Sequence, residues 1–145
     1  MSWAYFDTSA LIKRYVDEKG RREVLQLLRR HQCVASAVLS VELRSALRRR
    51  VADGSLDARR VPDILKRFAA DREFWALVAV TSEVLQAAEK LVAAHPLRTL
   101  DAIHVASAEL FAERLAASEL TFVSADARQT AVAAAVGMAT EDIRS

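Results

Sequence analysis

Cysteine occurs once in this sequence, as Cys33. That excludes an internal disulfide and fits a reducing compartment, so a cytoplasmic protein is expected. The histidines, His31, His95 and His104, are scattered and have no thiol partners, which argues against a structural zinc site. Long apolar runs are missing as well. The longest, "AVAAAVGMA" from Ala131, is far too short to span a bilayer, and no charged-then-apolar leader precedes the first apolar segment. Neither membrane insertion nor export is expected. Lysine is confined to Lys13, Lys19, Lys66 and Lys90, and arginine supplies all the other basic residues. The net charge is only +2 although the sequence pI is about 9.0. Arginine forks suit phosphate, so nucleic acid is one candidate partner. A genome rich in Arg and Ala codons gives the same composition, so charge alone decides nothing.

What is present is enough for one domain. A chain of 145 residues, 52% hydrophobic and 28% charged, can bury a proper core but not two, so residues 1–145 are read as a single globular unit. "WAYF" from Trp3 reads as a first strand, followed by a helix from Ser9 to Val16. Gly20 precedes a second helix, "RREVLQLLRR", and "CVAS" is a second strand. "AVLSVELRSALRRRVAD" reads as a long helix closed by Gly54, and Leu56 to Arg72 as another, with Pro62 near its first turn or kinking it. "FWALVAV" is a third strand. Thr81 is suited to cap a helix running to Ala94, and Thr99 the next, "LDAIHVASAELFAERLA". "LTFVS" is a fourth strand, Asp126 begins a helix closed by Gly137, and "MAT" is a short last strand. Strands alternating with helices imply an α/β domain with a parallel sheet covered on both faces. No repeat, linker or low-complexity segment interrupts it.

Four acids sit where such a fold places chemistry. Residues just past the carboxyl ends of parallel strands line one crevice. Asp7 follows the first strand and Asp126 the fourth; if those strands are neighbours at the switch in strand order, the two acids face each other. Asp101 lies in the first turn of the helix leading into the fourth strand. Glu42 sits in the mostly apolar "VLSVEL". Each has an ordinary alternative: Asp7 and Asp126 as helix caps, Asp101 as an answer to its helix dipole, Glu42 as an exposed acid. Together they suggest more, because carboxylates crowded into one crevice repel unless a proton or cation sits among them. An oxygen-only set suits Mg²⁺ or Mn²⁺, which lower the pKa of a bound water and stabilise charge on phosphate.

"YFDTSALIKRY", "VLSVELRSAL", "LRTLDAIHVASA" and "TFVSADARQTAVAAAVGM" resemble, in order and spacing, the four signature segments of PIN-domain nucleases, most closely the VapC-like toxins of toxin–antitoxin modules. The resemblance spans essentially the whole chain. It implies a PIN-like fold, a five-stranded parallel sheet sandwiched between helices. It also implies a metal-dependent endoribonuclease that hydrolyses RNA phosphodiester bonds with a metal-activated water, using one or two Mg²⁺ or Mn²⁺ ions. The family's acids map to Asp7, Glu42, Asp101 and Asp126, with Asp7 and Asp101 as principal metal ligands and Glu42 and Asp126 completing or orienting the cluster. Ser9 and Ser124 fall where the family often carries a supporting hydroxyl. The implied partners are RNA, a cognate antitoxin protein and a second copy of the chain in a homodimer.

Other residues have weaker claims. His104 shares a helix face with Asp101 but lies among small apolar residues, and in the resembling family this histidine is usually structural. In "RSALRRR", Arg49 lies two turns beyond Glu42 and is the best candidate for an RNA phosphate contact, with a solvated basic face as its alternative. Trp3, Phe6, Phe74, Trp75 and Phe122 are in or beside strands and read as core or partner contacts. Two rival functions stand beside the nuclease: a metal-dependent phosphohydrolase of small substrates, and a non-catalytic PIN-fold interaction module. "DTS" after the first strand, in place of aspartate-x-aspartate, disfavours an aspartyl-phosphate phosphatase, and the complete acid set disfavours the non-catalytic module.

Overall fold

A computed structural model describes residues 1–115 and 119–143. Its strands are β1 (Ser2–Phe6), β2 (His31–Ser36), β3 (Ala76–Val78), β4 (Leu120–Ser124) and β5 (Ala139–Asp142). They form one parallel sheet in the order β3-β2-β1-β4-β5. The helices of the described residues are α1 (Thr8–Leu11), α2 (Arg21–Arg30), α3 (Leu39–Ala52), α4 (Val61–Asp71), α5 (Ser82–Ala94), α6 (Thr99–Arg114) and α7 (Ala127–Ala135). The five-stranded parallel α/β sandwich expected from the sequence is what the chain forms.

Strand alternation explains the two layers. Successive side chains on a strand point to opposite faces. Ala4 and Phe6 of β1, with Cys33 and Ala35 of β2, pack against Leu11, Val24, Leu43, Leu47, Ile64 and Phe68. Tyr5, Val34 and Phe122 point the other way, onto Val84, Leu91, Val105 and Val132. Helices α1 to α4 therefore cover one face and α5 to α7 the other. Both faces are dry, as parallel sheets require.

Several elements differ locally from the sequence reading. The helix expected over Ser9 to Val16 is one α-turn, Thr8–Leu11, tightened into a 3₁₀ turn at Ile12–Arg14. The helix expected from Leu56 starts with a 3₁₀ turn and becomes α-helical at Val61, with Pro62 in its first turn, where its missing N–H is harmless. Only Ala76–Val78 of "FWALVAV" is strand, because Arg72–Phe74 continues α4 as a 3₁₀ turn and turns Phe74 into solvent, 89% exposed. Phe74 is thus not a core residue. Thr99 is the first residue of α6 and not its cap; the cap position is Arg98. The last residue expected in that helix, Ala116, lies outside the described residues. Thr81 does cap α5, its hydroxyl accepting from Val84 N at 3.2 Å. Gly54 closes α3 in the left-handed region, φ +83°, as a C′ glycine should. Among the described residues no helix is long and apolar enough to cross a membrane.

Candidate functional site

The strand order reverses between β1 and β4, which are adjacent and in parallel register from Trp3–Leu120 to Phe6–Val123. Asp7 and Asp126 leave the ends of these two strands, so the switch point opens between them. Asp7, Glu42, Asp101 and Asp126 all line one cleft of about 400 Å³. It is the crevice the sequence places there, with all four acids brought together.

Asp7 is 1% exposed. It is the N-cap of α1, Oδ1 accepting from Ala10 N at 3.0 Å. Two hydroxyls also converge on it: Ser9 Oγ lies 2.8 Å from both carboxylate oxygens, and Ser124 Oγ donates to Oδ2 at 2.8 Å. Burial raises its pKa above the ordinary carboxylate value, although nearby His104 and the donors Ser9, Ser124 and Ala10 N all pull it down. The charged form is therefore costly here unless a cation joins it. Ser9 and Ser124 are held in turn by the loop after β4, accepting from Ala125 N and Asp126 N at 3.0 and 2.9 Å.

Glu42 lies on the first turn of α3. Its Oε1 accepts from Thr8 Oγ1 at 2.7 Å and is 2.6 Å from His104 Nε2. Burial disfavours its charge, but the bond to His104, the His104 charge, Thr8 and Arg49 outweigh that and hold its pKa below the usual value. On His104, burial opposes protonation, yet the Glu42 bond and the charges of Asp7, Glu42 and Asp101 win and raise its pKa. His104, a candidate base or ligand by its place on the helix and usually structural in the resembling family, thus touches one of the four cleft acids directly.

Asp101 is buried at the start of α6. Its Oδ1 accepts from Gln129 Nε2 at 2.9 Å, and its Oδ2 lies 3.3 Å from Arg98 Nε. Asp126 caps α7 by accepting from Arg128 N at 2.9 Å, and its Oδ2 is 3.8 Å from Arg98 Nη2. One exposed guanidinium therefore answers two carboxylates. Arg49 and Arg50 line the same cleft; Arg49 Nη1 rests on Ser45 Oγ at 2.8 Å. The floor is acidic and its flank cationic. Thr8, Arg98 and Gln129 carry no role in the sequence reading. Arg98 stands three residues before Asp101, a legible ion-pair spacing at a helix start. Gln129 meets Asp101 only through the fold.

The donor set suits a hard cation. It is all oxygen, and Gln129 Oε1 adds a buried amide oxygen with no hydrogen-bond partner. Among the described residues no three Asp, Glu, His or Cys side chains form a ready-made cage. Mg²⁺ does not require such a cage, since it binds through one or two carboxylates and keeps waters for exchange with phosphate.

Fold and site together define an α/β protein with one acid-lined crevice at the switch point of its sheet. The family model of the PIN domain matches residues 4–135, and the chain belongs to that family, whose members are generally nucleases. The fold is similar to the crystal structure of FitAcB from Neisseria gonorrhoeae, with a TM-score of 0.69 over 96% of each chain at 14% sequence identity. A search of curated proteins finds no match.

Proposed function

We propose that this protein is a Mg²⁺- or Mn²⁺-dependent endoribonuclease acting as the toxin of a toxin–antitoxin module. The observation that supports the reading is that Asp7, Glu42, Asp101 and Asp126 all line one cleft, with Arg49, Arg50 and Arg98 on its flank. When bound, a divalent cation supplies Lewis acidity, lowering the pKa of a water and offsetting charge on phosphate. Asp7 and Asp101 are its principal ligands; both are buried, and each is held by protein donors from a different element. Glu42 and Asp126 complete or orient the cluster. Ser9 and Ser124 fix the Asp7 carboxylate in rotation, so that its remaining lone pairs have a defined direction. Arg49, which lines the cleft beside the acids, holds an RNA phosphate. A cognate antitoxin, a homodimer and a cytoplasmic location complete the proposal, supported by the resemblance to VapC-like toxins.

The test is incubation of the purified protein with total RNA and Mg²⁺ or Mn²⁺, with and without EDTA. Discrete cleavage products that disappear with EDTA are expected. Intact RNA under every metal condition would overturn the nuclease reading.

A further inference from the structure

His104 is 2% exposed and bonded at both ring nitrogens. Nδ1 is 2.8 Å from the hydroxyl of Tyr5, and Nε2 is 2.6 Å from Glu42 Oε1. An ionised carboxylate only accepts, so Nε2 must carry the proton toward Glu42. In the neutral ring Nδ1 then accepts, and the Tyr5 hydroxyl donates to it. Tyr5 is fully buried on the central strand β1 and stacked on Phe122 at 5.4 Å, so the far end of this chain is packed into the core. Three elements are thereby joined: β1 through Tyr5, α6 through His104 and α3 through Glu42. Thr8 Oγ1 donates to the same Oε1 from α1. Two donors thus occupy Oε1, and among the described residues no donor holds Oε2, while Glu42 lines the cleft.

We propose that His104, anchored by Tyr5, is a positioning residue that clamps Oε1 of Glu42 so that Oε2 is presented to a divalent cation in the cleft. The inference rests on the metal reading above. It assigns His104 a role through Glu42 and none in contact with RNA. Two observations favour it over a histidine that merely fills the core: the ring is fixed at both nitrogens, and one partner is one of the four cleft acids. A filler needs neither feature. Partners that orient a ligand from behind typically change metal affinity by about 10–100-fold when removed.

The test is the Mn²⁺ dissociation constant of the full chain, measured by calorimetry without RNA, alongside a thermal melt. In His104→Gln the side-chain amide nitrogen reaches roughly the place of Nε2 and can still donate to Glu42. In His104→Asn it reaches only the place of Nδ1. His104→Asn should weaken Mn²⁺ binding about tenfold or more, and His104→Gln should recover most of the loss. Tyr5→Phe keeps the stacked ring and deletes only the hydroxyl, and should weaken binding by several-fold. Parent-like Mn²⁺ affinity in His104→Asn, with a lowered melting temperature alone, would overturn the inference and leave His104 a core residue. If His104→Asn does not fold, Tyr5→Phe decides: several-fold weaker binding supports the clamp, and unchanged affinity overturns it. A parent that binds no Mn²⁺ would overturn the metal reading and this inference with it, whereas a binding parent with unaffected variants overturns this inference alone.

Discussion

Replacing Asp7 by Asn separates its helix cap from the metal-ligand role proposed for it, because Asn caps a helix about as well as Asp. Its Oδ1 can keep the bond from Ala10 N, and the hydroxyls of Ser9 and Ser124 can rotate to accept from the new amide. What disappears is a negative charge on a residue only 1% exposed, in a cleft shared with three other acids. Burial raises the Asp7 pKa in the folded protein. A carboxyl of this kind stabilises the fold in its protonated form; that contribution is complete below the ordinary carboxylate pKa and is lost as pH rises through the raised value. At pH 8 without metal, Asp7→Asn should therefore melt no lower than the parent. Each tenfold by which folding disfavours ionisation of the carboxyl corresponds to about 1.4 kcal/mol, which the variant escapes. The advantage should shrink as pH is lowered through the Asp7 pKa. Mn²⁺ at a hundredfold excess over its dissociation constant should stabilise the parent by about 2.7 kcal/mol. For a domain of this size, that is a rise of roughly 5–10 °C in Tm. The variant should lose most of that rise. Thermal melts of both proteins with and without Mn²⁺ read all of these effects, and equal metal-induced changes in Tm would show that Asp7 is a cap and not a ligand.

Arg49→Ala should weaken RNA binding and reduce the slope of log affinity against log salt by about one unit, the signature of one lost phosphate contact. An unchanged slope would leave Arg49 a solvated residue. Away from the cleft, Asp71 accepts from Arg14 Nε at 2.7 Å and from the Tyr15 hydroxyl at 2.6 Å. Burial opposes its charge, but these two partners win and hold its pKa below the usual value. Asp71→Asn should cost about 2 kcal/mol at pH 7, in the range for hydrogen bonds to a charged group, seen as a lower Tm. Because the folded-state pKa is depressed, the parent's advantage is present above the unfolded carboxylate pKa of about 3.9 and should vanish as pH falls through the folded value. A difference between the two melts that is independent of pH would refute this ion-pair account.

Half of the cleft was legible from topology: Asp7 and Asp126 follow "WAYF" and "LTFVS" and face each other if those strands are neighbours, and β1 and β4 do pair. Glu42 and Asp101 were assigned to the same site through the resemblance to PIN-domain nucleases. What holds the acids was not legible. His104 lies 62 positions from Glu42 and 99 from Tyr5, and Gln129 lies 28 from Asp101, separations over which helical or strand periodicity says nothing. Thr99 carries a better capping side chain than Arg98, yet α6 starts one residue earlier, and the Arg98 side chain pairs with Asp101. Phe74 reads as strand and as a core or partner contact, but the 3₁₀ turn that ends α4 carries it into solvent and excludes the core. Local preference was overruled there by the geometry of the preceding helix.

The measurement that bears most directly on a metal-dependent ribonuclease is cleavage of one purified RNA across a titration of free Mn²⁺, set beside calorimetric Mn²⁺ binding to the same protein. The account predicts no cleavage in EDTA, restoration by excess Mn²⁺, and a cleavage rate that rises over the same Mn²⁺ range in which the protein binds the ion. Asp101→Asn should show neither binding nor cleavage over that range. Full-rate cleavage in EDTA, or cleavage by Asp101→Asn equal to that of the parent, would contradict it.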